Sequence, residues 1–233
     1  KTIKNKQETI AHIKAATELI TTMGNMKGAA MKLGQMLSIT DDLLLPKEVT
    51  DLFKVLQMET SYMPREQVDE VFQNNFQKYP HELFKSFDYK ALAAASIGQV
   101  HKGELHTGEI VAIKIQYPNI EEVIKNDLKN IDHLKKLIRV LMPGHPKIDP
   151  IVEELKKSLI EECDYLREKE NMSEFKEMLK DEFPNILIPE TYEKFCTKQV
   201  LTMEYLSGAT FDETLEWSIE DRKEISKLYY HYY

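Results

Sequence analysis

Apolar residues recur at three- and four-residue steps over the first part of the chain. Ile10, Ile13, Leu19, Ile20, Met23, Met26, Ala30, Leu33 and Leu37 follow that spacing and predict a helix over 7–38. Gly24, Gly28 and Gly34 fall inside it, each at a cost of roughly 1 kcal/mol against alanine. They imply close approach of another backbone, or breaks in the helix. The stretch DDLLLPKEVTDLFKVLQ predicts a turn and a short helix, and PREQVDEVFQNNF a further helix with Pro64 near its first turn.

From Phe84 to Tyr117 the period changes from helical to alternating. SFDYKALAAASIGQVHKGELHTGEIVAIKIQYP predicts strands near 87–92, 97–105 and 109–116. Gly108 in HTGE suits a hairpin turn, and Pro118 ends the last strand. Helices are predicted over 119–142, closed by PGHP, and over 149–180, where Ile151, Leu155, Leu159, Cys163 and Leu166 form an apolar stripe. NILIPETYEKFC and KQVLTMEYLSG predict two more strands, joined about Thr197. A last helix starts near Asp212 or Ser218 and runs to the end. The expected class is α+β, with a five-stranded antiparallel sheet interrupted by a helix after its third strand. That is the order of a protein-kinase small lobe, with a helical extension over 1–83, the small lobe over 84–208 and the start of a truncated large lobe over 209–233.

The chain has 233 residues, 42% of them apolar and 30% charged, which is enough apolar material for a packed core. A net charge of −8 argues against nucleic acid as a partner, since that requires a basic footprint. Acidic and basic residues alternate in KNDLKNIDHLKK, as on a solvated helix face. Cys163 and Cys196 lack CxxC spacing, so neither a zinc site nor a disulfide is expected and both should be reduced. No run of eighteen apolar residues and no signal peptide are present. The chain begins at Lys1 and stops within the helical pattern KLYYHYY, so we expect a piece of a longer protein.

Four short motifs carry candidate chemistry. Lys114 in VAIKIQY is flanked by Ile113 and Ile115 on a strand that should alternate. Two readings stand: an exposed strand lysine, or a lysine that holds nucleotide phosphates and pairs with a helix glutamate. EECDYLREKEN offers acidic partners. Asp164 and Glu168 are four apart and share a helix face, whereas Glu162 lies about 200° from Asp164 on an ideal helix. Either the helix is distorted there or the two serve different contacts; an acidic solvated surface is the simpler alternative. In AAASIGQV, Ala93, Ala94, Ala95 and Ser96 occupy the turn before the lysine strand, where kinases carry glycines. Backbone N–H groups in such a turn can hold phosphate, while a β-carbon disfavours positive φ. KLGQ, Lys32 to Gln35, says nothing alone.

Together, and in this order, KLGQ, AAASIGQVHKG, VAIKIQYP and EECDYLREKEN resemble the UbiB family of atypical kinase-like proteins linked to coenzyme Q biosynthesis. The resemblance implies that Lys114 binds nucleotide phosphates and pairs with Glu168. It implies that Ala93 to Ser96 form the loop over the nucleotide, and that Glu162 and Asp164 are an acidic pair met by Lys32 and Gln35 folded over the site. Met203 is implied as gatekeeper, with Glu204 to Leu206 as the adenine hinge. The implied cofactor is ATP, with Mg2+ only in the complete protein. The implied setting is a membrane, the matrix face of the inner mitochondrial membrane in eukaryotes or the cytoplasmic side of the membrane in bacteria, with lipid or ubiquinone-biosynthesis proteins as partners. The pattern departs from the family after Leu206, where neither HxD nor DFG occurs. The complete protein is therefore expected to be an atypical kinase or ATPase, and this chain alone to be inactive. The alternatives are a catalytically dead nucleotide-binding module and a helical interaction protein. Exposed Tyr205, Leu206, Leu228, Tyr229 and Tyr230 would favour homo-oligomers or poor solubility.

Overall fold

A computed structural model describes residues 14, 17, 18, 21, 22, 62–141 and 148–232 of the chain. Lys32, Gln35 and the predicted helix over 41–57 lie outside the described residues, as does most of the predicted helix over 7–38; its five described positions are helical. The elements in chain order are α1 Arg65–Phe76, α2 Pro80–Leu83, β1 Ser86–Phe87, β2 Ala93–Ala95, β3 Gly98–Glu104, β4 Ile110–Gln116, α3 Ile120–Leu141, α4 Ile148–Glu162, α5 Tyr165–Leu179, β5 Val200–Glu204, α6 Phe211–Thr214 and α7 Ile219–Tyr232.

Pro64 stands at the N-cap of α1, where its missing N–H leaves no bond unmade. Val68, Val71 and Phe72 follow at helical spacing and are buried. They pack on Val111, Ile113, Ile115 and Val200 of the sheet. Phe72 meets Phe84 edge-on, with ring centroids 6.0 Å apart, and Phe84 meets Phe195 at 5.4 Å. Burying a side chain like Phe72 stabilises by roughly 1.5–3 kcal/mol. This aromatic cluster fixes α1 on one face of the sheet.

The sheet is antiparallel and five-stranded, in the order β1-β3-β4-β5, with β2 also paired to β3. Ser86 and Phe87 pair with Glu104 and Gly103, while Ala93 to Ala95 pair with Val100 to Gly98. The strand predicted over 87–92 is thus two short pieces end to end along β3. Bonds from Asp88 N–H to Lys102 O (2.9 Å) and Leu92 N–H to Val100 O (2.7 Å) bridge the gap. The predicted alanine loop is correspondingly a tight hairpin, with only Ser96 and Ile97 at its turn.

Two further expectations are corrected. The helix predicted over 149–180 breaks between Glu162 and Tyr165. Asp164 leaves helical geometry (φ −130°, ψ 94°), and its carboxylate accepts from Leu166 N–H at 3.1 Å, capping α5. The break therefore resolves the angular conflict between Glu162 and Asp164 by distortion. NILIPETYEKFC is not a strand. Thr191 forms one bridge to Met203, and Glu193–Phe195 is a 3-10 turn. Pro189 cannot donate to a ladder, which limits pairing there.

A buried polar chain joins α1 to the sheet. Gln99 and His101, both fully buried, lie on the core face of β3. Gln99 Oε1 accepts from Met63 N–H at 2.8 Å, so its amide nitrogen donates to His101 Nε2 at 2.7 Å. Nδ1–H of His101 then donates to Asp88 O at 2.8 Å. A proton on Nε2 would face another donor, and burial pushes the imidazole below its usual 6.5. With the folded value depressed, the unfolded chain binds more protons in the window just below 6.5. The stabilisation is complete above the ordinary value and is lost as pH falls through the depressed one. Melting temperature is expected to fall between about pH 6.5 and pH 5, before the carboxylates titrate. In His101→Gln that slope should flatten, and an unchanged slope would contradict the assignment.

Apolar side chains stand in the open on α6, α7 and the segments beside them. Phe211 is 77% exposed and Tyr230 87%. Leu206, Trp217, Ile219, Leu228 and Tyr229 are exposed as well.

Candidate functional site

Alternation on β4 decides which residues can meet Lys114. Val111, Ile113 and Ile115 are fully buried against α1, so Ala112 and Lys114 face the other side. Register extends that side across the sheet. Val100 pairs with Lys114, Leu201 pairs with Lys114 and Met203 with Ala112, and Ala93 pairs with Val100. Residues directly opposite one another share a face. Val100, Ala112, Leu201 and Met203 therefore share the face of Lys114 and make it apolar, with Leu201 fully buried. Of these, only Met203 stood out in the sequence. Val100 and Ala112 were legible only through their alternation with Lys114.

Lys114 Nζ donates to both carboxylate oxygens of Glu168, at 2.7 and 2.8 Å. The two side chains retain 19% and 35% of their exposure, so the pair stands at the edge of the interior and stays open to a ligand. The ammonium also lies 4.6 Å from the centroid of the Tyr165 ring. Tyr165 is fully buried. Burial, with the Glu168 and Glu162 carboxylates beside it, pushes its phenol upward and keeps it neutral.

The hairpin tip is tied to the same place. Ser96 Oγ donates to the Glu162 carboxylate in a short hydrogen bond. Gln116, nearly buried, donates from its amide to Glu162 O and Lys198 O, both at 3.2 Å. Tyr165 N–H donates to the same Lys198 carbonyl at 3.0 Å. The helix break thus rests on β4 and on the approach to β5. It delivers Glu162 to the hairpin and Glu168 to the lysine from two different helices.

Gly98 lets the hairpin lie flat. A Cβ built there would stand 2.1 Å from Ile115 O and 2.9 Å from the carbonyl carbon. Only hydrogen fits between β3 and β4 at that point.

The remaining sequence candidates are placed as follows. Ala93 and Ala94 are exposed and Ala95 half-buried along the hairpin edge. Asp164 is engaged as the cap of α5 and does not reach Lys114 by any described bond. Glu204 N–H donates to Glu190 O at 2.8 Å, and Tyr205 N–H to Ile110 O at 3.1 Å. Leu206 is 41% exposed, and its N–H makes no backbone hydrogen bond among the described residues. Cys163 and Cys196 are unpaired by disulfide, and burial raises both thiols. Among the described residues no three His, Cys, Asp or Glu side chains group as metal ligands. No helix there is long and apolar enough to cross a membrane.

Comparison with known proteins follows the same lines. The ABC1 atypical kinase-like domain matches residues 55–233. The zebrafish protein named "Atypical kinase COQ8B, mitochondrial" is 34% identical over 210 residues, covering 90% of this chain and 33% of its own length. "Atypical kinase COQ8, mitochondrial" of Saccharomyces cerevisiae is 34% identical over 202 residues, covering 87% of this chain and 40% of its own length. The chain thus spans between a third and two-fifths of these relatives. Among solved structures, Mycobacterium tuberculosis Rv3197, determined with erythromycin, superposes with a TM-score of 0.57 at 30% identity, covering 95% of this chain and 56% of that one. The fold is the kinase-like one, and the chain belongs to the ABC1 atypical kinase-like family.

Proposed function

We propose that this chain is the nucleotide-binding small lobe of an atypical kinase or ATPase of the coenzyme Q pathway. The observation that carries the reading is the two-pronged contact between Lys114 and Glu168 beside an apolar floor. An ammonium has three protons. Glu168 takes two and holds the third toward the space under the Ala93–Ser96 hairpin, where phosphate oxygens would lie. An adenine ring would lie against the half-buried Val100, Ala112 and Met203, with the N–H of Leu206 free to donate to its edge among the described residues. Ser96, whose one O–H donates to Glu162, fixes the hairpin at the phosphate end.

ATP, when bound, supplies the phosphoryl group. The residues of this chain bind and orient it. The acidic pair is divided between two tasks: Glu162 holds the hairpin through Ser96, and Asp164 caps the helix that carries Glu168. The described carboxylates do not form a metal-binding group, so no step is assigned to Mg2+ here. Residence at the matrix face of the inner mitochondrial membrane belongs to the same proposal, and the relatives' mitochondrial names support the compartment.

Titration of the full chain with a fluorescent ATP analogue tests this. Saturable binding, displaced by unlabelled ATP and ADP, is expected. A signal that does not saturate, or that excess ATP leaves in place, would contradict it and favour a helical interaction protein.

A further inference from the structure

We propose that Tyr165 is the positioning residue of the nucleotide site, its ring serving as the platform that holds the Lys114 ammonium in place. This deepens the reading of the site as nucleotide-binding and rests on it for its role, though not for its geometry.

A lysine on a four-carbon stem carries much rotamer freedom. Glu168 restrains Lys114 through two of its three protons, and a bound phosphate taking the third competes with Glu168 for the position of the ammonium. A second restraint that uses no proton would survive that competition. The Tyr165 ring supplies it, with Nζ 4.6 Å from the centroid. The face of an aromatic ring attracts a cation through its quadrupole and takes no particular N–H.

The ring itself is tightly fixed. Tyr165 is the first residue of α5, fully buried, and its N–H donates to Lys198 O at 3.0 Å. Gln116 ties that carbonyl to Glu162 O, and the Asp164 cap sets the helix start beneath it. Lys114, Glu168 and Tyr165 are thus referenced to one helix end. Among the described residues the buried Tyr165 hydroxyl has no hydrogen-bond partner. The platform therefore needs the ring and not the oxygen, and phenylalanine should replace it without loss.

The test reads the ring directly. In 1H–13C spectra of the full chain, the ε-methylene of Lys114, assigned through Lys114→Arg, should be shifted upfield by the ring current. Tyr165→Phe should keep that shift and bind ATP within about twofold of the parent. Tyr165→Leu should lose the shift and bind ATP about tenfold more weakly. An unshifted Lys114 in the parent protein overturns the proposal whether or not nucleotide binds. So does a Tyr165→Phe variant that loses the shift or the affinity, or a folded Tyr165→Leu variant that keeps the parent's ATP affinity. If Tyr165→Leu does not fold, the parent and Tyr165→Phe spectra decide. Failure of the parent to bind ATP would count against the nucleotide reading, and the methylene shift would still decide the platform.

Discussion

Gly98→Ala is expected to destabilise the chain by about 3 kcal/mol, the upper part of the range for forcing a group into filled space. The added methyl would stand 2.1 Å from Ile115 O. That atom belongs to the backbone of the central strand, so no side-chain rotation relieves the contact. Relief requires β3 to move off β4 near Gly98 and Gln116. Tyr117 N–H would lose Ile97 O, now at 3.0 Å, and Ser96 would be drawn from Glu162. For a chain of this size the melting temperature should drop by about 6–12 °C. Chemical denaturation with unchanged slope and a lower midpoint is the measurement. A loss under about 1 kcal/mol would show that the hairpin is not seated on β4 as described.

Lys114→Ala is expected to leave the fold nearly intact and weaken nucleotide binding by about 10- to 100-fold. The two effects separate for a physical reason. The pair with Glu168 is partly exposed, and water can take over from the missing ammonium, so its loss costs stability on the order of 1 kcal/mol or less. A hydrogen bond to a charged phosphate contributes roughly 1.5–3 kcal/mol, and each 1.4 kcal/mol is about tenfold in affinity. Lys114→Arg should not restore full binding, because the planar guanidinium is a poor substitute for a point charge between Glu168 and the Tyr165 ring. Equal ATP affinity in Lys114→Ala and the parent, by direct titration, would remove the lysine from the site.

Much of this arrangement was legible in the sequence because periodicity reports burial. VAIKIQ reads as a strand since Val111, Ile113 and Ile115 share the core face, whereas EECDYLREKEN only offered Asp164 and Glu168 as candidates, and the pairing of Glu168 with Lys114 was implied by the family resemblance. The helix break was legible only as one of two ways out of the angular conflict between Glu162 and Asp164. Cys163 and Leu166 are three apart and keep the apolar stripe in phase across it, although Leu166 is 38% exposed. The residues that hold the break in place, Lys198 and Gln116, are remote in sequence. The AAA strand was missed because alanine has weak strand preference, and its pairing is imposed by β3. Tyr165 was quoted within a motif, but its position under Lys114 arises from the same break. The residues around KLGQ fall outside the described part of the chain, so Lys32 and Gln35 stay at the level of a resemblance.

Thermal unfolding of the full chain with and without Mg-ATP, beside Lys114→Ala, decides whether the lysine and the hairpin form a phosphate site. Nucleotide at about 100 times its dissociation constant should add roughly 2.7 kcal/mol if only the folded state binds it. That corresponds to a rise of about 5–10 °C in melting temperature. The account expects this rise in the parent and little or none in Lys114→Ala at the same nucleotide concentration. Equal shifts in both proteins, or none in the parent, would contradict a phosphate site built from the Ala93–Ser96 hairpin and Lys114.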